Sequence, residues 1–335
     1  MRSLVSRMLI AVSLAMLVGA EALAAEVKVD PAVESYKAVS GVSGNLNSIG
    51  SDTLNNLMTY WAEGFRKPYP NVNIQIEGKG SATAPPALAK GTAQLAPMSR
   101  AMKPEEEDAF EKQHGYKPTR VTVALDCLAV YVHKDNPIKG LTLAQVDAIF
   151  SKNRKAGYAK DIVTWGDAGL TGEWADKPIS LYGRNSASGT YGFFKEHVLA
   201  NGDYKDSVKE QPGSASVVQG VANDKYAIGY SGIGYKTADV KAVPLAHEGD
   251  KFIPASAEYA YTGEYPLQRF LLLTVNYKPR AELDPLRREF IRYIFSRQGQ
   301  QDVVKDGYFP VSNKIAERAL GAVGIQGGTV STAGK

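Results

Sequence analysis

Val121-Thr122-Val123-Ala124-Leu125-Asp126-Cys127-Leu128-Ala129-Val130-Tyr131-Val132 is an almost unbroken apolar run in a chain of 335 residues. Alternation of polar and apolar positions would mark a strand with one face in water. Near-continuity marks a strand covered on both faces, as in a sheet flanked by helices. A chain of this length allows two compact domains, and this strand is the candidate for the crossing between them. The carboxylate of Asp126 inside it must be paired or hydrogen-bonded. The expected partner is the hinge backbone or an arginine, in preference to a ligand.

Outward from this strand the pattern alternates strands and helices. Upstream, residues 44–49 read as a short strand that breaks at Gly50-Ser51-Asp52-Thr53, and Leu54, Leu57, Met58, Trp61 and Phe65 then recur at helical spacing. Residues 71–77 alternate Val72, Ile74 and Ile76 as a second strand; Gly78-Lys79-Gly80-Ser81-Ala82-Thr83 follows, and 84–90 can be helical because prolines are tolerated in a first turn. Downstream, residues 142–150 predict a helix capped by Thr142. Residues 179–182 predict a strand, and Gly183-Arg184-Asn185-Ser186-Ala187-Ser188-Gly189-Thr190 leads into a helix over 191–199. A helix beginning near 216, a strand at 227–230, a buried strand at 270–275, an amphipathic helix over 286–296 and a mobile tail over 324–335 complete the pattern. This is an α/β chain with mostly parallel sheets.

The first 25 residues differ from the rest. Arg2 and Arg7 are followed by an apolar run from Met8 to Val18 and then by Ala22-Leu23-Ala24, the layout of a cleaved secretory leader. The run is too short to span about 30 Å of hydrocarbon, and no cysteine follows the cleavage site to carry a lipid. The expected product is exported, soluble and not membrane-anchored. Its single cysteine, Cys127, excludes an internal disulfide and a cysteine zinc site.

Formal net charge is +4, and +3 once the leader, with Arg2, Arg7 and Glu21, is removed. Lys and Arg are scattered, without the runs or aromatic interleaving of a nucleic-acid groove. Four histidines, His114, His133, His197 and His247, stand far apart with no H-E-x-x-H pairing. No G-x-S-x-G elbow or G-x-x-x-x-G-K-[ST] loop occurs, and no serine has an evident base. Neither a metal, nor a cofactor, nor catalysis is implied.

Three turns share a chemistry of their own: each puts Ser or Thr hydroxyls and glycine N–H groups at the start of a helix. The first-turn N–H groups lack intrahelical partners, and the helix dipole leaves that end partly positive, so an oxyanion can be held there. Taken singly, each is first a capped helix. In an α/β sheet such turns lie together at the carboxyl ends of strands. Arg184 stands beside one and Arg100 follows Met98-Ser99 at another strand end; a guanidinium fork suits two oxygens of a phosphate or carboxylate.

The run from Asp126 to Pro137, then Leu141-Thr142-Leu143-Ala144-Gln145-Val146 through Phe150-Ser151 to Thr164-Trp165-Gly166, resembles the periplasmic phosphate-binding proteins of ABC importers. Gly183 to Thr190, Ala227-Ile228-Gly229-Tyr230 and Tyr265-Pro266-Leu267 follow in that family's order. The resemblance implies the two-lobed type II binding-protein fold: lobe I from 26–127 plus 264–335, lobe II from 128–263, and phosphate enclosed in the cleft. It further implies a monomer that hands phosphate to a membrane permease. Carried over position by position, the ligand residues are Ser51, Asp52, Thr53 and the backbone near Leu54, then Ser81, Ser99 and Arg100, and from lobe II Arg184, Ser188, Gly189 and Thr190. Two departures stand out. Where the family places the aspartate that accepts the ligand's proton, this chain has Met98-Ser99-Arg100, and the aspartate between its arginine and Ser-Gly-Thr is Ser186. Asp52 is the candidate replacement acceptor. Another tetrahedral oxyanion, a secreted hydrolase or a surface adhesion protein are the alternative functions on the same fold.

Overall fold

A computed structural model describes residues 26–325. The expected leader, residues 1–25, and positions 326–335 of the expected mobile tail lie outside the described residues. The strands are β1 (Gly44–Ile49), β2 (Val72–Glu77), β3 (Leu95–Met98), β4 (Thr119–His133), β5 (Leu141–Thr142) and β6 (Ser180–Arg184). They continue with β7 (Lys209–Gln211), β8 (Ala227–Gly232), β9 (Val240–Ala242), β10 (Leu245–Ala246), β11 (Gln268–Val275) and β12 (Phe309–Pro310). The helices are α1 (Asn55–Arg66), α2 (Ala84–Ala89), α3 (Pro104–His114), α4 (Leu143–Phe150) and α5 (Gly189–His197). After them come α6 (Ser214–Ala222), α7 (Ala257–Thr262), α8 (Pro285–Ile294), α9 (Arg297–Lys305) and α10 (Asn313–Ala322).

One sheet runs in the order β2-β1-β3-β11-β4-β8-β6-β7, with β9 and β12 also pairing to β4. Its outer strands, β2-β1-β3 and β7-β6-β8, are parallel, and the strands that meet β4 are antiparallel. The crossing strand expected at 121–132 is β4, which is buried from Val123 to Val132. It changes partner in mid-course: Thr119 to Cys127 pair with β11, and Leu128 to Val132 pair with β8. Both faces are covered, which accounts for its continuous apolar character.

Local signals explain the flanking elements. Val72 and Ile74 alternate inward along β2. Thr142 caps α4 as expected: its Oγ1 accepts the Gln145 N–H at 3.1 Å while Gln145 Oε1 accepts the Thr142 N–H at 2.9 Å. Two helices start earlier than the spacing predicts. Helix α5 begins at Gly189, because the Ser188 hydroxyl accepts the Thr190 N–H at 3.1 Å and leaves the next residue free to enter the first turn. Helix α6 begins at Ser214. Phe270, expected in a buried strand, is 46% exposed, while its neighbours Arg269 and Leu271, whose side chains point to the other face of β11, are buried.

Aromatic packing fixes each half of the sheet. Phe65 on α1 meets Phe290 on α8 at 5.2 Å between ring centroids. In the other half Phe194 of α5 stacks on Tyr230 of β8 at 3.9 Å, and the Tyr230 hydroxyl accepts the Arg184 N–H at 3.3 Å. The core thereby reaches directly to the end of β6.

Candidate functional site

Four turns at the carboxyl ends of β1, β2, β3 and β6 meet at one place. Their junction is stitched by backbone: Gly50 N–H donates to Glu77 O at 2.9 Å, Ser51 N–H to Pro97 O at 2.8 Å and Gly80 N–H to Gly50 O at 2.8 Å. These bonds tie the ends of the three parallel strands together and fix the hydroxyls that follow. Ser51 Oγ donates to Ser99 Oγ at 3.0 Å, Ser81 and Ser99 hydroxyls stand 3.3 Å apart, and Ser99 N–H donates to Ser81 Oγ at 3.0 Å. All three serines are buried.

The turn after β6 faces them. Gly80 has φ of +113°, a backbone region that favours glycine, and a Cβ there would lie 2.4 Å from Ala187 O. The contact is held by Ala82 N–H donating to that same Ala187 O at 3.0 Å. Gly189 opens α5 against the serines, where a Cβ would come within 2.3 Å of Ser81 Oγ and 2.6 Å of Ser99 Oγ. Beside it the hydroxyls of Thr53 and Thr190 share a hydrogen bond of 3.0 Å.

Arg184 is the cation of this junction, with 1% exposure. Its Nη1 donates to Ser214 Oγ at 2.7 Å and lies 3.2 Å from Asp52 Oδ2, and its Nη2 donates to Pro212 O at 3.1 Å. Its Nε–H is buried with no hydrogen-bond partner among the described residues. Burial pulls this guanidinium below its ordinary range, and the Asp52 charge pulls the other way. Asp52 Oδ2 also accepts the Ser214 N–H at 2.8 Å. The first-turn backbone is held from behind by two tyrosines: Tyr235 hydroxyl donates to Asp52 O and Tyr308 hydroxyl to Thr53 O, both at 2.9 Å.

The structure thus brings Ser51, Asp52, Thr53, Ser81, Ser99, Arg184, Ser188, Gly189 and Thr190 together. The remaining two sequence candidates have partners of their own. Arg100 is clamped by Glu106, with Nη1 to Oε2 and Nη2 to Oε1 both at 2.7 Å. Leu54 is fully buried in the core and its N–H donates to Ser51 O at 3.3 Å. Ser214, Tyr235, Tyr308 and Arg269 were not legible as site residues. A further hydroxyl turn, Gly213-Ser214-Ala215-Ser216, was the available signal for Ser214.

Asp126 has the arginine partner that the sequence calls for: Arg269 Nε donates to its Oδ2 at 2.8 Å, and its Oδ1 accepts the Ile233 N–H at 2.9 Å. Among the described residues no three His, Cys, Asp or Glu side chains cluster as metal ligands, and no helix is long and apolar enough to cross a membrane.

Residues 36–298 match the model of a PBP superfamily domain. The chain is 58% identical to "Phosphate-binding protein PstS" of Pseudomonas aeruginosa over 92% of its own length and 95% of that protein. The chain belongs to the PstS phosphate-binding protein family. A PstS of Staphylococcus haemolyticus is 30% identical, over 77% of this chain and 79% of that one. Among solved structures, a putative phosphate ABC transporter substrate-binding protein with bound phosphate from Clostridium perfringens superposes with TM-score 0.67 at 28% identity, covering 80% of this chain and 100% of that one. The PstS relationship accords with a binding site and no catalytic apparatus, and the α/β binding-protein architecture read from the sequence stands.

Proposed function

We infer that this chain is an exported, non-enzymatic solute-binding protein that captures inorganic phosphate and delivers it to the permease of an ABC importer. The observation that carries the reading is Arg184: a buried guanidinium whose Nε–H has no hydrogen-bond partner among the described residues, at the point where hydroxyls from the turns after β1, β2 and β3 meet the first turn of α5. Buried N–H groups without partners are costly, and a tetrahedral oxyanion supplies several acceptors at once. Arg184 is paired with Asp52, so the remaining attraction comes from hydroxyls, backbone N–H groups and the helix end.

Ser51, Thr53, Ser81, Ser99, Ser188, Gly189 and Thr190 are assigned as donors, with Arg184 as the charged one. The ligand's proton needs an acceptor, because a donor-only pocket suits sulfate equally. Asp52 is assigned that role, its hydrogen bond and its ion pair among the described residues both being on Oδ2. The partner switch of β4 between Cys127 and Leu128 supports a division into lobe I (26–127 and 264–335) and lobe II (128–263). Hinge bending there would open and close the cleft. A monomer in the periplasm is the working form proposed.

Calorimetric titration of phosphate-stripped protein with phosphate and sulfate, at two pH values spanning phosphate's second ionisation, tests the reading. Tight binding of phosphate, weak binding of sulfate and loss of binding in Arg184→Ala are expected. Preference for sulfate overturns the ligand, and binding of neither overturns the function.

A further inference from the structure

We propose that Arg269 is a positioning residue for phosphate affinity, locking the ligand turn at Ser99 to the strand junction at Asp126 and, through Phe193, to helix α5 of the opposite half. The inference rests on the phosphate-binding reading and assigns a role to a residue outside the ligand donors.

Arg269 and Asp126 are registered opposite each other on β11 and β4, one residue before β4 exchanges β11 for β8. Their side chains are 3% and 0% exposed. Among the described residues the guanidinium meets three groups, with Nη2 as well as Nε 2.8 Å from Asp126 Oδ2. Nε holds Asp126 Oδ2 at 2.8 Å, Nη1 donates to Ser99 O at 3.3 Å, and its central carbon lies 5.4 Å from the centre of the Phe193 ring. Asp126 in turn accepts from Ile233, whose turn carries the Tyr235 that holds Asp52. One ion pair therefore contacts a ligand turn of the first half and two segments of the second.

The geometry of α5 makes the Phe193 contact specific to closure. Residues three and four apart share a helix face. Gly189 lies against Ser81 and Ser99, Gly192 lies beside the Arg100 side chain, and Phe193 lies on Arg269. This face docks as a unit: seating Gly189 on the serines seats Phe193 on the guanidinium. Ser99 is held at three atoms, its N–H and hydroxyl by Ser81 and Ser51 and its carbonyl by Arg269. A buried ion pair gives little net stability over an apolar pair of similar volume, so the effect expected of Arg269 is on the geometry of the closed cleft.

Phosphate titration, dissociation kinetics and phosphate-free melting of the native protein, Phe193→Leu, Phe193→Tyr and Arg269→Lys test this. Leucine removes the flat ring without exposing a charge; lysine keeps the charge but loses the fork that reaches Ser99. Phe193→Leu and Arg269→Lys should bind phosphate about tenfold or more weakly. The loss should appear as faster dissociation with melting near native, and Phe193→Tyr should restore affinity. If Arg269→Lys fails to fold, the two Phe193 variants decide. Native-like affinity in Phe193→Leu, or an equal loss in Phe193→Tyr, overturns the proposal while leaving the phosphate reading intact. Absence of phosphate binding by the native protein overturns both.

Discussion

Asp52 Oδ2 stands 3.2 Å from Arg184 Nη1 and accepts the Ser214 N–H at 2.8 Å, so a carboxylate from the turn after β1 closes onto the arginine and the helix start of the opposite half. No acidic residue lies between Arg184 and Ser188 to take that place. Asp52→Asn keeps the shape and removes the charge. Phosphate affinity is expected to fall by about tenfold to a hundredfold, the size of one charge-assisted hydrogen bond, and discrimination against sulfate should shrink with it. Competition calorimetry measures both. Undiminished discrimination would remove Asp52 from the role of proton acceptor.

Gly189→Ala places a methyl group where Ser81 Oγ and Ser99 Oγ lie within 2.6 Å. Alanine is a better helix former than glycine, so α5 itself should not suffer. The methyl group opposes only the approach of the two halves. The expected result is a loss of phosphate affinity of about a hundredfold or more, with phosphate-free melting at or above native. A variant that binds normally would show that Gly189 does not meet the serines in the bound state.

The turns were legible because hydroxyl caps and glycines recur at strand-to-helix junctions, and those junctions lie at one edge of the sheet whatever the order of strands. Asp126 was legible as a paired carboxylate because its neighbours are apolar, but its partner Arg269 lies 143 positions away and carries no local sign. Arg100 has a partner that the sequence does not announce. Its place beside Ser99 suggested a ligand clamp, whereas Glu106, in the first turn of α3, brings a carboxylate back to it. Tyr235 and Tyr308 act through hydroxyls on backbone carbonyls, and a tyrosine that does so cannot be told in sequence from one that fills a core.

Thr142→Ala removes a helix cap whose side-chain partner is Gln145 and which touches none of the ligand donors. Loss of a cap costs about 1 kcal/mol, or about 2–4 °C in melting temperature for a domain of this size. Phosphate affinity should be unchanged. Scanning calorimetry with and without phosphate checks this, and a change in affinity would mean that α4 is coupled to the cleft.

Asp306 supplies a pH dependence separate from the ligand's own ionisation. Burial raises its carboxyl from 3.8 to about 7, with the Asp126 charge adding to the rise and Lys305 opposing it. Among the described residues its Oδ2 has no hydrogen-bond partner, and its backbone carbonyl packs against Gly234 of the opposite half. Between about pH 4 and pH 7 the folded protein keeps a proton that the unfolded chain has released. Stability therefore falls as pH rises through that window, by up to about 1.4 kcal/mol per unit, and levels off above it. Asparagine cannot ionise. Asp306→Asn should melt higher than the native protein, by a margin that is larger at pH 8 than at pH 5. Phosphate-free samples keep ligand protonation out of the comparison. An equal margin at both pH values, or a larger one at pH 5, would assign the pH dependence to another group.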